Sequence, residues 1–398
     1  MLEQVISNKA GWTRVAFGDV VRLSKERAKD PEAEGYERVV GLEHIDPGDL
    51  RIRRWADIAD GTTFTSVFKP GQVLFGKRRA YQRKVAVAEF AGVCSGDIYV
   101  LEPSSNTLMP ELLPFICQTD AFFDHAIGTS AGSLSPRTNW KSLADFEFLL
   151  PPIQEQARWL EALQSFEATT EHLRRLRGAS STLLRSGLDD LLRLSHISGD
   201  AALRSEWRSV SLSKVLSDSR PLSYGILKPG PHDPNGVPML RVVDLDDLGR
   251  RSDTEIMQVS RSVADTSKTT YVQEGDVLLS IVATLGRTFV VPAAMQGWNV
   301  NRAIAVLPIG REVSSEFLEA YFHSGQVRRT LELAKVGSTQ PRINLDFLRT
   351  LSIPLPPPDI RKKTVKFRQS IATAIISFDH RLAQISHALQ RQLAEFET

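Results

Sequence analysis

Residues 77–84, KRRAYQRK, set five cations and no anion around Tyr81 and Gln82, directly after an apolar run. Arginine forks onto a guanine edge, glutamine bonds adenine and lysine neutralises phosphate, so Lys77, Arg78, Arg79, Tyr81, Gln82, Arg83 and Lys84 have the chemistry of a nucleic-acid contact. A solvated loop is the plain alternative, but like charges packed this closely repel unless a partner absorbs them. A second candidate is GSLSPRTNW (132–140), in which Ser133, Arg137, Thr138 and Asn139 offer short donors beside the rigid Pro136. The same G-S-x-x-P-R-x-N string returns about 205 positions later as GSTQPRINL (337–345), with Ser338, Arg342 and Asn344. Two readings stand side by side for both copies: a grip on a phosphate or base edge, or a turn whose Asn and Ser satisfy nearby backbone groups.

Catalytic chemistry is harder to find. GQVLFGKR (71–78) meets G-x-x-x-x-G-K but has Arg78 where a phosphate loop needs Ser or Thr for magnesium. The matching later stretch reads GDVLLSIV, so Gly71 opens a turn and residues 73–75 form a strand. There is no Gly-rich methyl-donor loop followed by an Asn-Pro-Pro-aromatic tetrapeptide, the feature a base methyltransferase uses to hold a flipped base. Histidines such as His125, His323 and His380 are scattered, and Glu43, Asp46, Asp57 and Asp60 read as solvated loop charges. Cys94 and Cys117 form neither a disulfide framework nor zinc-ligand spacing. The expectation is a chain that is not an enzyme by itself and uses no metal or cofactor. A formal charge of +2 is too weak to hold a polyanion by overall field, so binding must come from local patches. The longest apolar runs, such as VLLSIVATLG, reach about half the length of a membrane span, and MLEQVISNKAGW lacks a signal peptide's apolar core. A soluble cytoplasmic protein is expected.

The elements that must position these loops repeat. A chain of 398 residues is long enough for two domains, each with its own core. GWTRVAFGDVV (11–21) matches EWRSVSLSKVL (206–216) through Trp12 and Trp207, and VGLEHID (40–46) lines up with LRVVDLD (240–246). KPGQVLF (69–75) matches QEGDVLL (273–279), and GDIYVLEP (96–103) matches RAIAVLPI (302–309). Each copy ends at a Pro pair, which stops a strand and suits the opening of a helix. In the last segment Ile371, Ile375, Phe378, Leu382, Ile385 and Leu389 recur at steps of four and three, a coiled-coil seam. The central segment has the same rhythm through Phe166, Leu173, Leu176 and Leu183, with Gly178 and Gly187 as points of weakness. At close to 40 residues, or ~60 Å, each, the two helices suit antiparallel pairing. The fold class is therefore α+β. Residues 1–152 and 196–357 are two similar mixed α/β domains with a pseudo-twofold relation, and 153–195 and 358–398 are spacer helices.

The order of variable domain, helix, second variable domain and second helix resembles the specificity subunit of type I restriction-modification systems, over nearly the whole chain. Its marks are GSLSPRTNW with LADFEFLLPPIQEQ, GSTQPRINLDFLRTLSIPLPPPDI, the turn-strands PGQVLF and EGDVLL, and PLSYGILKPG (221–230) with Tyr224 in a Tyr-Gly segment. The sequence departs from the family where Glu155-Gln156 of the first copy gives way to PDIRKK in the second. The resemblance implies a protein that chooses a double-stranded DNA site and leaves chemistry to partners: two methyltransferase subunits, with restriction subunits as further partners. Each domain would be a target-recognition domain reading one half of a split site through the major groove, while the helices set the gap. Two other readings compete with it: the DNA-binding part of a split nuclease-methyltransferase enzyme, and a protein-binding scaffold. KRRAYQRK has five cations where SIVATLGR (280–287) has only Arg287, so the first domain is expected to carry more of the salt dependence.

Overall fold

The computed structural model describes residues 9–193, 207–252, 254–337 and 341–397. The chain divides into two compact units, one of residues 1–173 and 381–398, the other of residues 174–380.

In the first unit the strand Thr13–Ala16 pairs antiparallel with Glu147–Leu150, so the start of the domain closes on its end. An antiparallel sheet has the order Val21–Leu23, Ile98–Pro103, Val73–Gly76, Val85–Val87. Val73, Leu74 and Phe75 are all buried, as befits a central strand covered on both faces. A second sheet has the order Ala56–Asp57, Arg38–Val40, Gly92–Cys94, Ser66–Phe68, with a parallel pair at its centre. The core joins Phe17, Phe75, Phe122, Phe146 and Phe148 to Trp159 and Leu163 of the central helix and to Leu393 and Phe396 near the C-terminus.

The second unit repeats this plan. Arg208–Ser211 pairs with Ser352–Leu355. Ser223–Tyr224, Ile304–Leu307, Val277–Ser280 and Thr288–Val290 form the antiparallel sheet, and Met257–Val259, Val237–Leu240 and Asn299–Val300 form the sheet with a parallel pair. The two Gly residues aligned by sequence, Gly71 and Gly275, both have positive φ (87° and 81°), which only glycine adopts without strain. His323, one of the scattered histidines, is buried. Burial pushes its imidazole down to about 3, and it sits with Nε2 3.1 Å from the Asp247 carbonyl oxygen.

After each Pro pair a long helix runs without interruption, Ile153–Leu191 and Pro358–Leu393. Gln156, fully buried, secures the first by donating from Nε2 to the carbonyls of Thr107 and Pro151 and accepting at Oε1 from Met109 N. At the second, Arg361 takes over that role, donating to the Pro356 and Glu312 carbonyls. In the second unit Arg177 meets Asp379 at 2.5 Å and Gly187 meets Phe367, so the helices pack antiparallel. In the first unit Trp159 meets Phe396 at 5.2 Å between ring centroids.

The seam differs from the heptad expectation in the central helix. Phe166 and Leu173 are buried, as is Ile375, and Ile371, Phe378, Leu382, Ile385 and Leu389 are half-buried. Leu176 and Leu183 are 38% and 50% exposed, and Leu184, Leu188 and Leu192 are buried in their place. An α-helix drifts about 20° per heptad unless it supercoils, and the step from Leu173 to Leu184 is instead eleven residues in three turns. Gly187 is not a point of fraying: a methyl group there would overlap the Phe367 ring, whereas Gly178 faces open space. The two glycines should respond oppositely to alanine. Gly178→Ala is expected to stabilise the second unit by up to ~1 kcal/mol through helix propensity, and Gly187→Ala to destabilise it by about 1–3 kcal/mol through overpacking. Thermal melts of both variants test this, and shifts of the same sign would contradict the packing argument.

Candidate nucleic-acid interface

The repeated P-R string is a main-chain clamp. In the first domain Arg78 and Arg137 form an isolated antiparallel bridge, Arg79 N donates to Pro136 O at 2.7 Å, and Thr138 N donates to Lys77 O at 3.1 Å. In the second, Val282 and Arg342 form the same bridge, Ala283 N donates to Pro341 O at 3.2 Å, and Ile343 N donates to Ile281 O at 2.9 Å. The clamped loops share a rare backbone feature: Arg79 and Ala283 are non-glycine residues with φ of 54° and 62°. Asn139 and Asn344 then cap the helices that follow, accepting from Ser142 N at 2.9 Å and Asp346 N at 3.2 Å. The turn reading therefore holds for both asparagines. Thr138 is buried, with its hydroxyl 3.1 Å from that of Thr129, and is withdrawn from any surface contact, whereas Ser133 is exposed.

The cations of the first loop find partners inside the protein, which corrects the expectation that only a bound partner could absorb them. Arg137 Nε donates to Asp97 Oδ1 at 2.7 Å, and Arg78 donates to Asp97 Oδ2 at 3.2 Å and to Ser135 Oγ at 3.1 Å. Burial alone would raise the Asp97 carboxyl, but the hydrogen bonds from Arg137 and Arg78 outweigh it and hold it below the usual carboxylate range. Arg83 donates to Asp120 at 2.5 Å and lies 4.4 Å from the centroid of the Phe123 ring. Lys84 Nζ reaches the Leu42 carbonyl at 2.5 Å. Lys77 sits 4.5 Å over the Tyr99 ring, and its burial holds the ammonium below its ordinary value. Arg79 makes only 3.4 Å contacts to Leu134 O and Ser135 Oγ. Tyr81 is 55% exposed beside the half-buried Gln82.

In the second domain the structure gathers Tyr224, Arg342 and Asn344 around one pocket of about 420 Å³, together with Leu227, Arg302 and Val336. Arg287 is turned away into the protein, donating to Asp247 at 3.0 Å and to the Val242 and Leu245 carbonyls. Ser338 lies outside the described residues. Arg302 escaped the sequence reading, although the alignment of GDIYV with RAIAV placed it beside the position where Asp97 is replaced by Ala303.

Comparison with known proteins decides the family. The model of the type I restriction modification DNA specificity domain matches residues 9–177 and 227–388. The chain belongs to this specificity family. It is 24% identical to the specificity subunit of the type I restriction enzyme EcoBI of Escherichia coli, across 97% of this chain and 84% of that protein. A 140-residue stretch is 31% identical to the EcoDI specificity subunit, also of Escherichia coli, covering 32% of this chain and 30% of that one. Among solved structures, a chain described for complex assembly and conformational transition of the type I system superposes with a TM-score of 0.54 at 22% identity, covering 97% of this chain and 98% of that one. The S subunit from M. genitalium gives 0.52 at 13% identity, with coverage of 99% and 98%. As a DNA specificity subunit the protein is the non-catalytic member of a type I restriction-modification complex that binds DNA. No helix among its described residues is long and apolar enough to cross a membrane. In this specificity subunit the two clamps are alike in main chain and different in side chain: Lys77, Arg78 and Arg79 stand where the second copy has Ile281, Val282 and Ala283.

Proposed function

We propose that this specificity subunit selects an asymmetric, two-part DNA site, one part for each recognition domain (residues 1–152 and 196–357). The long helices within segments 153–195 and 358–398, Ile153–Leu191 and Pro358–Leu393, set the gap, and two methyltransferase subunits dock on the chain, with endonuclease subunits joining where the system has them. The reading places the protein in the cytoplasm. One observation carries it: a single clamp geometry is built twice and given different side chains, which is what two unlike half-sites on opposite strands of one duplex require. The contact groups are Lys77, Arg79, Tyr81, Gln82 and Ser133 in the first domain and Tyr224 and Arg342 in the second. Because Arg78, Arg83, Lys84 and Arg137 are engaged within the protein, any surplus salt dependence of the first domain rests on Lys77 and Arg79.

The test is the methylated motif. When residues 77–84 are moved into the second domain in place of 281–287, the motif written by the complex with its methyltransferase subunits, mapped by sequencing, should change in one half and keep its gap. A change in both halves, or an altered gap, would count against one half per domain.

A further inference from the structure

Arg137 and Arg342 occupy the same place in the two clamps, yet their surroundings differ at one residue. Lys77 N donates to Asp97 O at 3.0 Å in the first copy, and Ile281 N donates to Ala303 O at 2.8 Å in the second, so Asp97 and Ala303 are register equivalents. In the first copy the Asp97 carboxylate holds Arg137 at 2.7 Å and Arg78 at 3.2 Å. In the second a methyl group stands there, and among the described residues no carboxylate pairs with Arg342 or with its neighbour Arg302, both exposed. Both arginines open onto the pocket that also holds Tyr224, Leu227, Val336 and Asn344.

We infer that Arg342, with Arg302 beside it, reads a guanine in the half-site of the second domain, and that the residue at position 97 or 303 decides whether this arginine of the clamp is available to DNA. The inference rests on the half-site reading proposed above and adds the base class and the group that recognises it. A guanidinium forks onto guanine O6 and N7 in the major groove through two parallel donors on one rigid plane, whereas lysine brings a single flexible ammonium. The main chain under Arg342 is tied on both sides, by two 3.0 Å bonds to Val336 and by the bridge to Val282, so the fork projects from a fixed base. Leu227 and Val336 beside it are exposed apolar side chains that a bound duplex would cover, and the water displaced then would strengthen a directional hydrogen bond from the arginine. In the first domain the equivalent fork is spent on Asp97, so that half-site is read by other groups.

The experiment uses the specificity subunit assembled with its methyltransferase subunits, and duplexes carrying the motif that the wild-type complex writes. Arg342→Ala and Arg342→Lys should each lose about 10- to 100-fold in affinity for the cognate duplex, and discrimination at one guanine should largely vanish while the other positions keep theirs. Replacing that guanine by 7-deazaguanine, which lacks N7, should weaken wild-type binding and leave the Arg342→Ala complex unaffected. Ala303→Asp should reproduce the loss by capturing Arg342, and Ala303→Asn, of the same size and no charge, should not. Uniform weakening across all duplexes on Arg342→Ala would identify a phosphate contact and overturn the inference. So would indifference of the wild type to 7-deazaguanine at every guanine of that half, a result that needs no variant to fold. A wild-type motif that is not divided in two would instead refute the half-site reading itself.

Discussion

Replacing Arg368 by Ala is expected to destabilise the second unit by ~3–5 kcal/mol, the cost of removing one partner from a buried ion pair. For a unit of this size that is a fall of roughly 10 °C in melting temperature. Arg368 projects from the C-terminal long helix and donates to Glu319 at 2.7 Å and to the Leu248 carbonyl at 2.6 Å, with both side chains almost fully buried. Gly249 lies against the Glu319 carboxylate with no room for a side chain, so the site has no space to relax around the loss. Burial already pushes Glu319 up to about 7 against the opposing pull of the Arg368 charge. Without that charge the carboxyl rises further and stays folded only as the neutral acid. The sign follows from linkage: a raised carboxyl contributes stability below its unfolded value near 4.5 that is lost as pH rises through the folded value. In the wild type that loss is complete above about 7, whereas in the variant it continues, so the gap between them should widen from pH 7 to pH 9. Denaturation at several pH values measures it. The double change Arg368→Met with Glu319→Leu should recover most of the stability, because neither charge is then buried alone.

Trp159→Ala should cost the first unit ~3–5 kcal/mol. Trp159 is 2% exposed and is the hub of three rings, edge-on to Trp12 at 5.8 Å and to Phe396 at 5.2 Å, with Trp12 and Phe396 themselves 5.6 Å apart. Trp12 Nε1 donates to Glu155 at 2.8 Å, and Glu397 accepts from Ala121 N at 2.9 Å just beyond Phe396. Losing the hub therefore frees the end of the C-terminal helix. Limited proteolysis should cleave the variant between residues 381 and 397 well before the rest of the unit. Phe396→Ala should produce the same cleavage, and combining the two should add little, since they belong to one contact. An unchanged digestion pattern would mean that the tail is held elsewhere.

Much of this architecture could be read from the residues. Trp12 and Trp207, Gly71 and Gly275, and the two Pro pairs mark equivalent points of one repeated topology, and each marks a local rule: a ring to bury, a positive φ, the end of a strand. The helices were legible from their periodicity, but the contact face of the central one was not. Leu176 and Leu183 fit the heptad in sequence and point outward, because the phase of a helix depends on how its partner's side chains fill the interface, here Phe367 over Gly187. The loop cations were the harder case. Their number is visible in the string, whereas Asp97, Asp120 and the Leu42 carbonyl that answer them are brought in by a turn and two helix starts elsewhere in the chain. Arg302 went unnoticed for the converse reason: a lone arginine draws attention only when the acidic residue that could occupy it is known to be missing.

The bridges between residues 78 and 137 and between 282 and 342 are made by peptide groups alone. Substitution at those positions leaves the main-chain bridge in place but loses the side-chain ties, since Arg78 and Arg137 also hold Asp97 and Val282 packs against the core of its domain. Positions 79 and 283 are restricted in a second way, since left-handed backbone disfavours Val, Ile and Thr there. The path of the clamp is thus insensitive to the side chains it carries, whereas the ties those side chains make to Asp97 or to the core are particular to each copy.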